Sequence, residues 1–376
     1  MIDKADKLIK RAHAELSDKN YYEAHQIART VYYRLVDSQQ YEKLLDFLYS
    51  MSLLFINAKE YNISLDLAEL YVDTLHKSRT PVHEKELNRF AQMFSLLPSK
   101  FDTDDSSTAA VAVTDRRNNL LNKAVNWSIE VADIPSAKLR GHPGLHLKLA
   151  RIFKIEGNYE AARMHYPVAN SPEEFAEFLV DYQQKMSVEI DTLIVQTVFQ
   201  ILCYKKLKSA IIVFQKYTSG HPDIGPKTPY DFELINFVWL MLRSIAQRNL
   251  AYFTELVETY QQVLARDSNY FSYLDKIGQL YLSLPPASNC QNRSQGGFLG
   301  NLLKEFIGQK PSAPEIVDEN EEFDEALASD PFVVGPLPPG VLSEQDVDMS
   351  ASTSGTPSPS KSAQLSEKHE ADMDLD

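Results

Sequence analysis

A short aromatic phrase recurs along the chain, and it constrains the fold more than any other feature of the sequence. Each copy is a polar turn followed by an aromatic or large apolar residue, at the start of an apolar helical pattern. In stacked helix-turn-helix repeats, a large ring just past the turn wedges between neighbouring helices, and a small side chain lets the backbones approach. The irregular spacing of the copies is typical of a degenerate α-solenoid. The clear copies are Asn20–Ala24, Glu60–Leu65 and Asn158–Ala162, and the weaker ones are Lys206–Ala210 and Asn249–Phe253.

Apolar residues recur at helical spacing through most of residues 1–308. The links between these segments are short, so consecutive helices should be antiparallel and pack side by side. The pattern predicts an all-α fold, a right-handed, tetratricopeptide-like α-solenoid of about 14–15 antiparallel helices. The predicted helices cover residues 2–17, 21–37, 39–57, 60–78, 82–96, 115–132, 142–156, 158–167, 171–185, 187–204, 206–219, 230–248, 249–265, 269–284 and 297–308.

Three stretches interrupt this pattern. Asp102–Thr114 is polar and rich in small residues, which predicts a mobile loop near residues 102–114. His221–Pro229 holds three prolines and predicts an ordered turn or an extended connection. Leu284–Gly297 predicts a loop before the last helix, and whether a small β-hairpin lies here is left open.

The C-terminal part of the chain has a different composition from the rest. Residues 308–376 hold 16 Asp and Glu against three lysines, whereas residues 1–307 are nearly neutral, with 35 basic and 36 acidic residues. A segment of this kind cannot bury enough apolar surface to offset chain entropy. The sequence therefore predicts a solenoid over residues 1–308 and a disordered, acidic, Pro/Ser-rich tail over residues 309–376. No uniform basic face is present, so no nucleic-acid partner is expected.

Cysteine usage and the apolar runs indicate the compartment. Cys203 and Cys290 show no metal or disulfide spacing, which is typical of a reducing compartment and predicts a cytosolic protein. The start of the chain lacks the apolar core of a signal peptide. The longest clean apolar run, Phe237–Leu242, is too short to cross a bilayer, so no direct membrane insertion is expected.

Residue patterns that carry chemistry are weak in this chain. His142 and His146 have the spacing of metal ligands on a helix, but Pro143 and Gly144 lie between them, which favours a helix entry with proline in its first turn. Gly296–Gly300 lacks the Lys-Ser/Thr of a phosphate-binding loop. Because no nucleophile elbow or catalytic cysteine signature is present either, we expect no enzyme activity, no metal and no cofactor.

Each end of the predicted solenoid offers a candidate surface for protein partners. The first two helices carry a small excess of Lys and Arg, which a docking patch for an acidic partner and an ordinary solvated face explain equally well. The last helices carry apolar stripes wider than packing on one neighbour needs. Since the last repeat of a solenoid normally presents a polar face, these stripes predict a cap from this chain or from another protein.

Five segments together carry a resemblance to a known family: Tyr21–Gln26, Gly141–His146, Tyr273–Leu280, Pro285–Pro286 and Gly296–Leu303. In this order they resemble the Golgi-to-ER traffic protein four family, whose animal members are the smaller scaffold subunit of the transmembrane-recognition complex. The resemblance covers roughly residues 4–307. The long acidic tail has no counterpart that can be carried over.

The resemblance implies a non-catalytic α-solenoid that pairs stably with a ubiquitin-like-domain subunit at its C-terminal helices. It also implies that the N-terminal helices engage the cytosolic ATPase that delivers tail-anchored membrane proteins to the ER, and that in animals a client-holding chaperone joins the complex. The resulting candidates for ATPase docking are Lys10, Arg11, Arg29 and Arg34. Those for subunit docking are Tyr273, Ile277, Leu280, Leu299 and Leu303.

The expected function is a non-catalytic cytosolic scaffold in the post-translational insertion of tail-anchored proteins into the ER membrane. It would bridge the ubiquitin-like subunit and the chaperone module to the targeting ATPase, which raises their effective concentration. The alternative is a generic tetratricopeptide-like co-chaperone adaptor that binds acidic C-terminal peptides of chaperones. That alternative requires Lys, Arg and Asn side chains converging on a concave groove, and the sequence does not place them at regular repeat positions.

Overall fold

The computed structural model describes residues 4–99 and 108–284, all within one compact unit. The regular secondary structure of these residues is entirely α-helical, which confirms the predicted all-α fold. Sixteen helices are present in this part of the chain: α1 (Lys4–Ser17), α2 (Tyr21–Asp37), α3 (Tyr41–Asn57), α4 (Tyr61–Lys77), α5 (Glu84–Leu96), α6 (Thr108–Glu130), α7 (Pro135–Arg140), α8 (Pro143–Ile155), α9 (Tyr159–His165), α10 (Pro172–Met186), α11 (Ile190–Cys203), α12 (Leu207–Gly220), α13 (Glu233–Ala246), α14 (Leu250–Thr259), α15 (Gln261–Leu264) and α16 (Asn269–Tyr281).

The helices stack in two layers, as in a solenoid. Consecutive helices such as α1 and α2, α3 and α4, and α8 and α9 pack side by side, because links of about three residues leave room only for a reversal of direction. Alternate helices also pack against each other: α2, α4 and α6 form one layer, and α3, α5 and α8 form the other. Apolar faces from both layers build one buried core, and no helix of the described residues is long and apolar enough for a membrane crossing.

A single turn geometry recurs between helices. In each copy the residue after the helix cap has a positive φ, between 48° and 73°. In the turn after α8, for example, the N–H of Asn158 donates to the carbonyl of Phe153 at 2.9 Å and the N–H of Gly157 donates to that of Lys154 at 3.1 Å. This pair of bonds satisfies the last carbonyls of the preceding helix. The left-handed positions are Lys19, Gln39, Lys59, Arg79, Gly157, Lys205 and Arg248.

The first ring of the aromatic phrase follows such a left-handed position by two residues. Tyr21 is the first residue of α2, and its ring packs edge-on against Phe55, with centroids 6.4 Å apart. Tyr159 opens α9 in the same way and stacks on Phe178 at 6.0 Å. The predicted wedge between helices is therefore the first ring of the phrase, whereas the second ring, that of Tyr22, is 71% exposed.

Only one of these left-handed positions is a glycine, and we expect Gly157→Ala to destabilise the protein. A Cβ at this position would meet no atom within 4 Å, so the cost is that of a left-handed backbone alone, about 1–2 kcal/mol. Gly220→Ala is the matched control, because it too adds a Cβ into open space but without a positive φ. We expect it to be neutral or to stabilise by about 0.4–1 kcal/mol. Urea unfolding measures both, and a shift of equal sign and size in the two variants would contradict this account of the turn.

The structure corrects the predicted elements at three places. The chain is helical from Thr108, so the loop predicted over residues 102–114 is wrong for residues 108–114; residues 102–107 lie outside the described residues. Helix α7 is absent from the prediction, although Pro135 at its start and Gly141 after its end are helix boundary signals. The helix predicted over residues 249–265 is divided into α14 and α15 at Tyr260.

The early start of α6 has a reason in the sequence. Alanine is the strongest helix former, and three alanines lie between Thr108 and Val113. Val113, Leu120, Ala124 and Trp127 also continue a single buried stripe at helical spacing. In the sequence, the polar residues just before this segment obscured its helical periodicity. The predicted helix over residues 297–308 and the predicted tail lie outside the described residues.

The connection between α12 and α13 is held by side chains, as the prediction of an ordered turn requires. The amide of Asn236 bonds both backbone groups of Tyr230: its oxygen accepts from the N–H and its nitrogen donates to the carbonyl, each at 2.7 Å. His221 is buried at the start of the connection, with its Nε2 3.1 Å from the Gln183 side-chain oxygen.

Candidate interaction surfaces

The four predicted ATPase-docking residues do not lie on one face. Arg11 is exposed and pairs with Glu15 on its own helix at 3.5 Å. Arg29 lies on the side of α2 that faces α4, 3.8 Å from Asp66. Arg34 is five residues further along α2, about 140° around the helix, and is exposed, as is Lys10 on α1. The structure therefore keeps Lys10, Arg11 and Arg34 on the surface and ties Arg29 to a neighbouring helix.

Arg29 belongs to a ladder of charges across α2, α4 and α6. The acidic stripe of α4 lies in the middle, flanked by basic side chains on both sides. Asp66 is 2.7 Å from Nε2 of His25, whose hydrogen bond holds the pKa of Asp66 below its ordinary value. Towards α6, Glu69 pairs with Arg116 at 3.2 Å and Asp73 with Lys123 at 3.3 Å. These contacts join successive helices of one layer, so their first role is structural.

Two exposed tyrosines on α2 were missed by the sequence reasoning. Tyr22 is 71% exposed and Tyr33 is 58% exposed. They are eleven residues apart, which places them about 20° apart on the helix and so on the same side. The spacing was visible in the sequence, but nothing in it separates an exposed ring from a packed one. Tyr22 and Tyr33 lie about 16 Å apart along the helix axis, and aromatic residues are enriched at protein interfaces.

The predicted C-terminal docking residues have different environments. Tyr273 is 36% exposed, with its ring 5.9 Å from that of Phe199 on α11. Leu280 is half-buried against the core. Ile277 is fully buried in the chain's own core, where α16 packs against α11, so its prediction as a subunit-docking residue is wrong. Leu299 and Leu303 lie outside the described residues.

A groove of about 610 Å³ runs between α9, α11 and α16. Helices α11 and α16 run in the same direction along it, because Arg266 pairs with Asp191 near their starts at 3.3 Å and the Tyr281 hydroxyl donates to the Leu202 carbonyl near their ends at 3.1 Å. Most of the residues that line it have polar or charged side chains, although the stems of these side chains also expose apolar surface: Glu160, Arg163, Met164, Gln196, Gln200, Cys203, Asp267, Asn269, Ser272, Tyr273 and Lys276.

The histidines near α8 form a helix entry and a buried pair. His142 is the N-cap of α8, where its Nδ1 accepts from the Gly144 N–H at 3.1 Å, as the helix-entry interpretation predicts. His146 instead meets His165, with their Nδ1 atoms 2.9 Å apart. Nε2 of His146 lies 2.9 Å from the Arg140 carbonyl, which can only accept, so this nitrogen carries the proton. His165 must then donate to Nδ1 of His146.

Burial keeps both rings of this pair neutral. It lowers the pKa of His146 to about 4 and that of His165 to about 3, and the proximity of His146 adds to the effect on His165. No group of three or more metal-binding side chains occurs within residues 4–99 and 108–284. The pair is therefore a core hydrogen bond in an apolar setting, with His165 stacked on Phe153 at 5.5 Å.

We expect this pair to make stability fall as the pH is lowered below about 6.5. The folded pKa values lie below the unfolded one, so the unfolded chain takes up protons first, and stability present above pH 6.5 is lost on acidification. Each histidine should contribute about 1.4 kcal/mol per pH unit, or roughly 2 kcal/mol at pH 5. Urea unfolding at several pH values measures the slope. His165→Gln keeps a donor for His146 but removes one titrating group, so the slope should decrease, and an unchanged slope would contradict the assignment.

Comparison with known proteins gives one consistent match. The family model for Golgi to ER traffic protein 4 matches residues 38–307. The Golgi to ER traffic protein 4 homolog of Homo sapiens is 37% identical over 300 residues, which is 79% of this chain and 85% of that protein. The homolog of Oryzias latipes is 35% identical over 314 residues, 83% of this chain and 90% of that protein. The crystal structure of C. therm. Get4 is 20% identical with a TM-score of 0.63, over 83% of this chain and 100% of that one, and shows a likeness of fold.

Proposed function

The chain belongs to the Golgi to ER traffic protein 4 family, and from this premise we propose that it is a non-catalytic cytosolic scaffold for inserting tail-anchored proteins into the ER membrane. Membership of the family associates the chain with traffic between the ER and the Golgi and with a role in a complex. The finer role is that it bridges a ubiquitin-like subunit and its client-holding chaperone to the targeting ATPase. The family match over residues 38–307 carries this proposal.

The arrangement of the helices supports a bridging role. Helices α1 and α2 begin the described stack and α16 ends it, so partners at the two ends do not compete for one surface. Holding a donor and an acceptor on one rigid body raises their effective concentration, typically to the millimolar range. A hydrophobic client then passes between them with little exposure to water.

The N-terminal surface combines exposed aromatic rings with exposed cations. Tyr22 and Tyr33 present two rings on one side of α2, and tyrosine is enriched among the residues that dominate binding energy. Lys10 and Arg34 are exposed cations with no ion pair to any described residue. We propose that the rings provide the contact area and the cations steer an acidic partner, which here is the targeting ATPase.

Reversing three of these charges should weaken ATPase binding. The variant Lys10→Glu, Arg11→Glu, Arg34→Glu leaves Arg29 in place, because reversing Arg29 would also break its contact with Asp66. We expect about a tenfold to hundredfold loss of affinity at low salt and a smaller loss at high salt, since exposed charges are screened. Surface plasmon resonance with the purified ATPase measures this.

The matched control carries the same change in net charge elsewhere. Lys138, Lys216 and Lys227 are exposed lysines far along the chain from α1 and α2, and their reversal to glutamate should leave ATPase affinity within about twofold of the wild type. Equal affinity losses in the two variants would indicate a net-charge effect, and an unchanged affinity in the N-terminal variant would remove the proposed surface.

One observation favours the alternative of a co-chaperone adaptor. Arg163, Asn269 and Lys276 all line the groove between α9, α11 and α16, and such side chains are the donors that clamp an acidic C-terminal peptide. Titrating acidic chaperone C-terminal peptides against the full chain and its Lys276→Glu variant separates the two functions. Micromolar binding that depends on Lys276 would support the adaptor, whereas binding of the ATPase without any peptide affinity supports the scaffold.

A further inference from the structure

The groove between α9, α11 and α16 is lined by four charged side chains that make no ion pair with any described residue. Its carboxylates are Glu160, the second residue of α9, and Asp267, which precedes α16. Its cations are Arg163, which donates to the neutral side chain of Gln196 at 3.3 Å, and Lys276, which is exposed. All four charges are therefore open to a ligand.

Both carboxylates have room for a further donor. Glu160 accepts from the Tyr182 hydroxyl, and Asp267 accepts from the Asn269 N–H at 2.9 Å. An ionised carboxylate offers about four lone-pair sites, so one hydrogen bond does not saturate it. A cation at this end of the groove gains partners without displacing an internal contact.

Asp267 and Lys276 lie at opposite ends of the groove. Asp267 is next to Arg266, which pairs with Asp191 near the start of α11. Lys276 is nine residues further on, about 13 Å along the axis of α16. Burial raises the pKa of the Cys203 thiol and the positive charge of Lys276 opposes this effect, so Lys276 lies near the end of α11.

Glu160 lies at the same end as Asp267, because α9 runs in the same direction as α11. Arg163 of α9 meets Gln196 of α11. Further along both helices, Lys206 donates to the Val168 carbonyl at 2.9 Å. The start of α9 therefore lies beside the first half of α11, and the groove has two carboxylates at one end and Lys276 at the other.

The groove has the width of an extended chain. Helix α11 lies between α9, which it meets through Arg163 and Gln196, and α16, which packs against it. Because the axes of packed helices lie about 8–10 Å apart, the axes of α9 and α16 are at most about 20 Å apart. A helix with its side chains is about 10–12 Å in diameter, so at most about 10 Å remains between them. This gap is too narrow for another helix and admits a single extended chain.

Uncharged polar side chains lie between the charged ends: Gln196, Gln200, Asn269 and Ser272. Amide side chains and hydroxyl groups both donate and accept hydrogen bonds. The backbone of an extended peptide has unpaired N–H and C=O groups, whereas a helix satisfies most of its own. Met164, which is 68% exposed, adds apolar contact area to this lining. The groove therefore matches a peptide in an extended conformation.

We propose that this groove binds an extended, internal segment of a partner protein in which a cation and a carboxylate are four residues apart. The cation pairs with Glu160 and Asp267, and the carboxylate pairs with Lys276. In an extended chain, residues i and i+4 face the same side and lie about 13 Å apart, which matches the separation of Asp267 and Lys276. The side chain at i+2 faces the same way and packs on Met164. A uniformly acidic segment is disfavoured because Glu160 and Asp267 repel it.

Four peptides with acetylated and amidated ends test this charge pattern. Two are dipolar, Gly-Lys-Thr-Val-Thr-Glu-Gly and Gly-Glu-Thr-Val-Thr-Lys-Gly, and two controls carry lysine or glutamate at both charged positions. Ligand-observed NMR titration against the full chain measures their dissociation constants. We expect one dipolar peptide to bind about fivefold or more tightly than both controls, because each control replaces one attractive pair by a repulsive one. Absence of binding by both dipolar peptides overturns the proposal, as does tightest binding of the peptide with two glutamates.

A charge reversal in the groove should change which peptide is preferred. In Lys276→Glu both ends of the groove are acidic, so the peptide with two lysines should become the tightest ligand, a gain that misfolding does not produce. Lys216→Glu, at an exposed lysine of α12 outside the groove, is the matched control and should keep the wild-type preference. An unchanged preference in Lys276→Glu overturns the proposal.

This inference does not depend on the proposed scaffold role. Lys276→Glu should retain both the targeting ATPase and the ubiquitin-like subunit on co-purification, since neither proposed docking surface includes Lys276. Loss of the subunit from this variant would make the groove part of the subunit interface and overturn the assignment to a separate partner. Loss of either partner from the wild-type chain would count against the scaffold role alone.

Discussion

Replacing Arg117 with alanine should destabilise the protein by about 3–5 kcal/mol. Arg117 is 3% exposed, on α6, and joins three helices at one point. Its guanidinium donates to the Glu156 carboxylate at the end of α8 and to the Phe94 carbonyl of α5 at 3.3 Å, and it stacks over the Phe94 ring at 3.9 Å. Truncation removes the Arg117 guanidinium from the largely buried Glu156 carboxylate, whose side chain is 12% exposed, and losing one member of such a pair costs more than the pair itself contributes.

The neighbouring residue provides the control for this prediction. Arg116 pairs with Glu69 at 3.2 Å on the partly exposed ladder between α4 and α6, so Arg116→Ala should cost at most about 1 kcal/mol. The double variant Arg117→Met, Glu156→Gln should regain part of the loss, since neither side chain then carries an unpaired charge. Urea unfolding followed by circular dichroism measures all three. Equal losses of stability for Arg116→Ala and Arg117→Ala would contradict the prediction that the buried ion pair contributes more to stability than the partly exposed one.

Replacing Leu299 and Leu303 by aspartate should remove the ubiquitin-like subunit from the purified complex. In the sequence these leucines belong to an apolar stripe that follows the last described helix, and we propose that the subunit covers this stripe. Two charges buried in the subunit interface cost several kcal/mol if they are not solvated. We expect complete loss of the subunit on co-purification, with unchanged helical content by circular dichroism.

A core residue of α16 provides the control that distinguishes an interface residue from a core residue. Ile277 is fully buried in α16, so Ile277→Ala should lower the stability of the chain by about 2–5 kcal/mol through a cavity, whether or not the subunit is present. If the Leu299, Leu303 variant loses stability in the isolated chain, as we expect for Ile277→Ala, these leucines belong to the chain's own core. That result would remove the proposed docking stripe.

The sequence predicts the helices well because their signal is local. Periodicity and short turns place most of the described helices within a few residues of their observed ends. It fails at Thr108–Thr114, where polar neighbours hid a helical run, and at Ile277, where periodicity marks an apolar stripe but does not say which neighbour covers it. Burial is decided by tertiary packing, and the sequence of a single helix does not show which neighbours it packs against.

The surfaces were harder to predict for the same reason. The groove joins Arg163, Gln200 and Lys276 from three helices far apart in sequence, and no local pattern connects them. Nothing in the sequence near Arg29 indicates a partner for its charge, yet Arg29 on α2 pairs with Asp66 on α4, two helices further along the chain. The spacing of His142 and His146 does not identify the partner of His146, because this partner, His165, is supplied by the packing of α9 against α8.

Native mass spectrometry of the reconstituted chain with the ubiquitin-like subunit and the targeting ATPase tests the bridging role most directly. Two partners at opposite ends of the stack should bind at once, so the account predicts a single assembly that contains all three proteins. The N-terminal charge-reversal variant should lose only the ATPase, and the Leu299, Leu303 variant only the subunit. Mutually exclusive binding of the two partners, or binding of neither, would contradict the account.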